Sequence, residues 1–127
     1  MTKKAKKTIY WSIGGAVVIG FTAWLIVGLS QPGPLDAFAK CLKDKGATYY
    51  GAFWCPNCQR QNDLFGKSKK HTPYVECSTP DGQGQKQVCQ QAEITNYPTW
   101  EFADGSRDIG VQPLEDLAEK TGCELPR

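Results

Sequence analysis

The sequence has one histidine, His71, and one closely spaced cysteine pair, Cys55 and Cys58. Those two shortages weigh against zinc. Ribbon-type zinc sites need two tight pairs, whereas Cys41, Cys77, Cys89 and Cys123 are scattered. His71 stands in a basic polar stretch and reads as a solvated surface residue. Excess positive charge is missing outside one short run. Of fifteen basic residues, Lys3, Lys4, Lys6 and Lys7 supply four, and the remaining eleven face thirteen acidic ones. The body is therefore near neutral to slightly acidic, which argues against nucleic-acid binding. No internal repeat is evident. Composition is that of a folded protein, and 127 residues suggest one small domain.

Charge of either sign is absent from Ile9 to Leu29. As a helix this run is about 31 Å long, against a bilayer core of about 30 Å. Trp11 and Trp24 lie near its ends, where indole rings favour the headgroup level. The lysines before it predict a cytoplasmic N-terminus. The expected organisation is a basic cytoplasmic segment (1–8), a transmembrane anchor (9–29), a linker (30–34) and an extracytoplasmic domain (35–127). The rival is a cleaved signal peptide. Its apolar core usually runs about 7–15 residues, and Gly28-Leu29-Ser30-Gln31 is a poor cleavage signal. Either reading exports the domain to a periplasm, cell surface or lumen. Six cysteines, an even count, suit such an oxidising place.

Within the domain, Leu35, Phe38, Ala39 and Leu42 form an apolar stripe on a helix that starts at Pro34 and ends at Gly46. Ala47 to Phe53 reads as a buried strand and Pro56 to Phe65 as a helix. A strand over Tyr74–Cys77 precedes a polar loop, Ser78 to Gly84. A short helix over Gln85–Ala92 should turn Val88, Cys89 and Ala92 inward. Thr99–Ala103 and Arg107–Val111 read as a hairpin around Asp104-Gly105, and Pro113–Lys120 as a closing helix. The fold class is α/β, a small mixed four-stranded sheet flanked by helices.

The chemistry concentrates at Phe53-Trp54-Cys55-Pro56-Asn57-Cys58. Cys55 stands where a strand gives way to a helix, so unpaired N–H groups and the helix dipole favour its thiolate, the attacking species. Cys58, one turn on, shares that face and can attack a mixed disulfide at Cys55. Cys55 is thus the nucleophile and Cys58 the resolving thiol, with Trp54 packed beside the exposed sulfur. An inert disulfide here would close too small a ring to gain much chain entropy. Tyr97-Pro98-Thr99-Trp100, with Pro98 forty residues after Cys58, stands at the mouth of the third strand.

Together, Leu35-Asp36-Ala37-Phe38-Ala39-Lys40, Tyr50 through Cys58, Tyr74-Val75-Glu76-Cys77 and Tyr97-Pro98-Thr99-Trp100 resemble the thioredoxin-like domain fused to bacterial and plant homologues of vitamin K epoxide reductase. The likeness covers roughly residues 35–123. It implies a thioredoxin-like fold, with Pro98 a cis-proline beside the dithiol presenting backbone to an extended substrate. Trp54, Pro56, Asn57, Tyr97 and Pro98 become candidate substrate contacts, and Cys55 and Cys58 the catalytic pair. It also implies an oxidase of exported proteins, reoxidised by a quinone-reducing membrane partner. No bound cofactor or metal is expected, since the Cys55–Cys58 disulfide itself carries the electrons. The sequence departs from that family in two places, and from thioredoxin itself in a third. One predicted membrane helix replaces its four or five, so the partner is expected as a separate polypeptide. Asn57 stands where histidine is frequent, and it can hydrogen-bond a thiolate but not balance its charge, which leaves the direction of electron flow open. Tyr49 occupies the position of thioredoxin's buried acid, so that proton acceptor is missing.

The other four cysteines allow three pairings. The Gly-rich loop can bend Cys77 onto Cys89, and the resemblance supports that pair; Cys41–Cys123 follows by elimination, although their helices could lie on opposite sheet faces. Free buried thiols, or a second electron relay through Cys77 and Cys89, are the alternatives. The leading expectation is an anchored thiol–disulfide oxidase. Its rivals are a reductase or isomerase on the same fold and an anchored binding module with an incidental dithiol.

Overall fold

The computed structural model describes residues 3–127, so the first two residues of the basic N-terminal segment lie outside the described residues. The chain divides into two units, Met1–Gln31 and Pro32–Arg127. The first is a single helix, α1 (Lys3–Leu29). Its stretch Ile9–Leu29 has a mean hydropathy of 2.0 and is long and apolar enough to cross a membrane. A signal sequence near an N-terminus meets the same criteria of length and hydropathy. Within it the Thr22 hydroxyl donates to the Val18 carbonyl at 3.0 Å, so this polar group does not face an apolar surrounding unpaired.

The second unit carries α2 (Asp36–Asp44), β1 (Thr48–Gly51), α3 (Pro56–Phe65), a 3-10 turn (Gly66–His71), β2 (Tyr74–Glu76), α4 (Gln87–Gln91), β3 (Thr99–Glu101), β4 (Arg107–Ile109) and α5 (Leu114–Thr121). The sheet order is β2-β1-β3-β4. β1 runs parallel to β2 and antiparallel to β3, and β3 pairs antiparallel with β4. This mixed sheet with flanking helices is consistent with a thioredoxin-like α/β fold. The strands are shorter than the expected spans. The Cys55 N–H turns back to the Ala52 carbonyl at 3.1 Å, which bends the chain after Gly51 instead of extending it to Phe53. The first helix starts at Asp36, because the Asp36 N–H closes a turn onto the Gly33 carbonyl at 3.2 Å. The 3-10 turn was not anticipated. Gly66, at φ 54°, takes the backbone out of α3 in a conformation open mainly to glycine.

Alternation along β1 builds the two sides of the sheet. Tyr49 enters the larger cluster with Phe38, Leu42, Phe65, Trp100, Phe102 and Leu117. Tyr50 points the other way, to Cys77, Cys89 and Ile94. Tyr49 and Trp100 are direct cross-strand partners. Their rings stack at 4.8 Å between centroids, and the Tyr74 ring meets Tyr49 edge-on at 5.0 Å. Aromatic pairs of this kind add about 0.5–1.5 kcal/mol beyond the area they bury.

The structure joins Cys41 to Cys123 with Cα atoms 5.9 Å apart, and Cys77 to Cys89 with Cα atoms 5.6 Å apart. α2 and α5 contribute Leu42 and Leu117 to one and the same cluster, so the two helices of the first bond share a core and do not oppose each other across the sheet. Two expectations need correction. Val88 is exposed, since α4 is a single short turn that commits only Cys89 fully to the interior. His71 is not freely solvated. Its side chain is 29% exposed, and Nε2 lies 3.4 Å from Asp36 Oδ2, tying the 3-10 turn to the first turn of α2.

Candidate active site

Cys55 is the N-cap residue of α3, and Pro56 follows at the first helical position. Proline there costs no hydrogen bond, because that N–H has no helical partner anyway. The Cys55 sulfur therefore sits at the positive end of a ten-residue helix. Its thiol donates to the Tyr97 carbonyl at 3.6 Å, and the Tyr97–Pro98 peptide bond is cis. Cys58 lies one turn deeper. Both cysteines are free thiols here, and Cys55 is 7% exposed against 1% for Cys58. The Cys55 sulfur is thus nearly covered, not open as the sequence suggested.

Burial pushes the Cys58 thiol up to about 12. A backbone hydrogen bond at Ala52 and the Tyr49 hydroxyl pull the other way, while the neighbouring Cys55 adds to the rise. Burial also raises the Tyr49 phenol above its ordinary range, with Cys58 and Tyr74 as further causes. Tyr74 is raised by burial and then by Glu76, whose Oε2 accepts the Tyr74 hydroxyl at 2.7 Å.

The rim is aromatic. Phe53 and Trp54 are both about half exposed, and Trp54 meets Tyr97 edge-on with centroids 6.0 Å apart. The Trp54 indole N–H donates to Ser78 Oγ at 3.0 Å. Ser78 begins a loop closed on itself by a bridge to Gln85 and by the Lys86 N–H on the Cys77 carbonyl at 2.7 Å. At Gly82 an added Cβ would touch Phe53 and Trp54, each at 3.7 Å, so this loop walls the rim. Of the candidate substrate contacts, the structure groups Trp54, Tyr97 and Pro98 around Cys55. Pro56 and Asn57 are exposed on the first turn of α3. Pro98 is fully buried, has no N–H and already accepts the Gly110 N–H on its carbonyl at 2.8 Å, so the backbone acceptor beside Cys55 is the Tyr97 carbonyl and not Pro98 itself.

Sequence reasoning missed Gln61. This fully buried side chain accepts from the Trp100 indole N–H at 3.2 Å and from the Gln112 N–H at 2.7 Å, and donates to the Gln112 carbonyl at 3.0 Å. It fastens α3, which carries the dithiol, to β3 and to the chain before α5. A polar residue on the inward face of α3, one turn beyond Cys58, was the available signal. Among the described residues no group of three or more His, Cys, Asp or Glu side chains could hold a metal ion.

No family model matches the chain. It is 44% identical over 94 residues to the thiol-disulfide oxidoreductase LTO1 of Arabidopsis thaliana, covering 70% of this chain and 24% of that protein. It is 24% identical over 88 residues to human glutaredoxin-3, covering 66% of this chain and 26% of that protein. The chain thus spans about a quarter of the length of these curated relatives. Taken with the mixed sheet and its flanking helices, the two likenesses support a thioredoxin-superfamily domain and suggest thiol–disulfide oxidoreductase activity.

Proposed function

We propose that Cys55 and Cys58 carry out thiol–disulfide exchange outside the cytoplasm, oxidising exported proteins from a domain held at the membrane by α1. The observation that carries the reading is the unequal placement of two free thiols: Cys55 at the mouth of the site on a helix N-terminus, Cys58 beneath it. A substrate thiolate attacks Cys55 in the disulfide, a mixed disulfide forms, and a second substrate thiolate releases the oxidised product. Each cycle moves two electrons onto the dithiol. A quinone-linked membrane partner of the vitamin K epoxide reductase kind would remove them. The aromatic rim of Phe53, Trp54 and Tyr97 supports substrates presented as unfolded chain, with Tyr97 offering backbone beside the reacting sulfur.

The experiment is trapping. A Cys58→Ala variant should accumulate mixed disulfides through Cys55 with exported proteins, and Cys55→Ser should abolish oxidation of a reduced test protein. Full oxidation by Cys55→Ser refutes the assignment, and no trapped species from Cys58→Ala favours an anchored binding module. The reduction potential decides direction. A value near about −120 mV marks an oxidase, and one near about −270 mV marks a reductase on the same fold.

A further inference from the structure

Two phenols close on Cys58 from the sheet. Tyr49 is fully buried. Its hydroxyl donates to the Cys58 carbonyl oxygen at 3.0 Å and is one of the groups that favour the Cys58 thiolate. The meeting point is Gly51, where an added Cβ would lie 3.1 Å from Cys58 Sγ, 2.7 Å from Tyr74 Cε2 and 3.5 Å from Tyr49 Cε2. No side chain other than glycine's leaves room for sulfur and both rings there. The two phenols are not equivalent. Tyr74 commits its proton to Glu76 Oε2 at 2.7 Å, and Glu76 Oε1 accepts the Ser78 N–H at 2.8 Å. The Tyr49 proton rests on the Cys58 carbonyl, with that residue's sulfur beside the same ring at Gly51. The titratable groups around Cys58 are thus Cys55, Tyr49 and Tyr74, with Glu76 behind Tyr74 and Tyr97 beside Cys55.

We propose that Tyr49 is the positioning residue for Cys58, its hydroxyl turning from the carbonyl oxygen to the sulfur whenever that sulfur is an anion. The inference rests on the exchange reading above. When a substrate thiolate attacks Cys55, the new sulfur–sulfur bond forms there, the Cys55–Cys58 bond breaks, and its electron pair leaves on the Cys58 sulfur. The anion appears in a place that disfavours charge, and the Tyr49 O–H stabilises it until it takes a proton from water. In the reverse step the Cys58 thiolate attacks Cys55 and the substrate departs as a thiolate. Tyr49 acts throughout as a donor and never as a base, because burial holds its own proton firmly.

The test uses the full chain and a mixed disulfide preformed between Cys55 and a chromogenic aryl thiol. Tyr49→Phe keeps both ring contacts and removes only the hydroxyl. A hydrogen bond to a charged group is worth roughly tenfold or more in the thiolate population, of which the greater nucleophilicity of the unstabilised thiolate restores about a threefold factor, so release of the aryl thiol should slow about threefold or more in Tyr49→Phe at neutral pH. Tyr74→Phe should stay within about twofold of the wild type, since its proton is already committed to Glu76. Alkylation of reduced Cys55 by iodoacetamide should be unchanged in Tyr49→Phe, whereas a general loosening of the fold would alter it as well. Unchanged release in Tyr49→Phe, or slowing of release and alkylation together, overturns the proposal. If Tyr49→Phe does not fold, a fluorinated tyrosine at that position, a stronger donor, should speed release, and no change refutes it. A wild type that never releases the thiol sinks the exchange reading, and this inference with it; a wild type that does, beside an unaffected variant, sinks this inference alone.

Discussion

Replacing Gln61 by leucine should cost about 2–4 kcal/mol, and the structure says where the loss falls. Leucine fills similar space without polar atoms, so no large cavity opens. Three hydrogen bonds disappear: Trp100 Nε1 at 3.2 Å, the Gln112 N–H at 2.7 Å and the Gln112 carbonyl at 3.0 Å. They are unequal losses. Trp100 is fully buried, and its indole N–H would be left without a partner, at the full desolvation cost of about 1–3 kcal/mol. Gln112 is half-buried, and its backbone groups can turn to water, so each contributes about 1 kcal/mol or less. The measurement is urea unfolding of the oxidised full chain in detergent, read by near-ultraviolet circular dichroism. With a slope of about 1 kcal/mol per molar urea, the midpoint should fall by about 2 M or more. Gln61→Glu supplies a control with a sign. It keeps the acceptors but places a carboxyl in the core, whose raised pKa makes the variant most stable in acid and weaker as pH rises. A midpoint in Gln61→Leu within about 0.5 M of the wild type would refute the view that this side chain fastens α3 to β3.

The two disulfides should differ in worth. Cys41–Cys123 closes 82 residues and Cys77–Cys89 only 12, so chain entropy gives about 4.5 and about 3 kcal/mol respectively; equal midpoints for the two double-alanine variants in urea would contradict that account. Cys58 makes the reduced protein alkali-sensitive. Its pKa lies above the ordinary 9.0, at about 12, so its contribution to stability is complete below pH 9 and is lost as pH rises toward about 12. The oxidised protein lacks that thiol, and the stability difference between the two forms, followed through this window, should shift in favour of the oxidised one. Asn57→His should raise the reduction potential by about 30 mV for each tenfold stabilisation of the thiolate, and an unchanged potential against a glutathione buffer would show that position 57 does not face the reacting sulfur.

What the sequence made legible follows from local signals. Proline after Cys55, the uncharged aromatic run before it and Asp104-Gly105 each act through neighbours in the chain, and the structure has a helix, a strand and a turn there. What it concealed depends on contacts between distant residues. Gln61 and Gln112 are 51 positions apart, and nothing near either marks them as partners. His71 reads as solvent-facing from its basic neighbours, yet Asp36 brings it inward. Val88 reads as core from its residue type, but a five-residue helix turns too little chain inward to hide it. Tyr49 was legible as a place where an acid is missing. That its hydroxyl would reach Cys58 required knowing how β1 passes beneath α3.

The two sulfurs differ in depth, and on the proposed exchange reading depth gives them their order of reaction. On that reading Cys55, 7% exposed at the helix N-terminus with the Tyr97 carbonyl beside it, meets an incoming thiolate first. At 1% exposure Cys58 packs against Cys55, Ala52 and the phenols beneath. Its high thiol pKa makes it a reluctant leaving group and, once ionised, a strong attacking one. On the same reading, opening of the disulfide by a substrate needs a group at the base of the site to receive the charge, and closure onto Cys55 needs the Cys58 proton to leave first. The loop between Cys77 and Cys89 enters at the same point. Both of its sulfurs are fully buried, so no second thiol can reach them without opening the loop, which favours a staple over an electron relay. What that staple holds still is Ser78, hence Trp54, hence the rim through which Cys55 is reached.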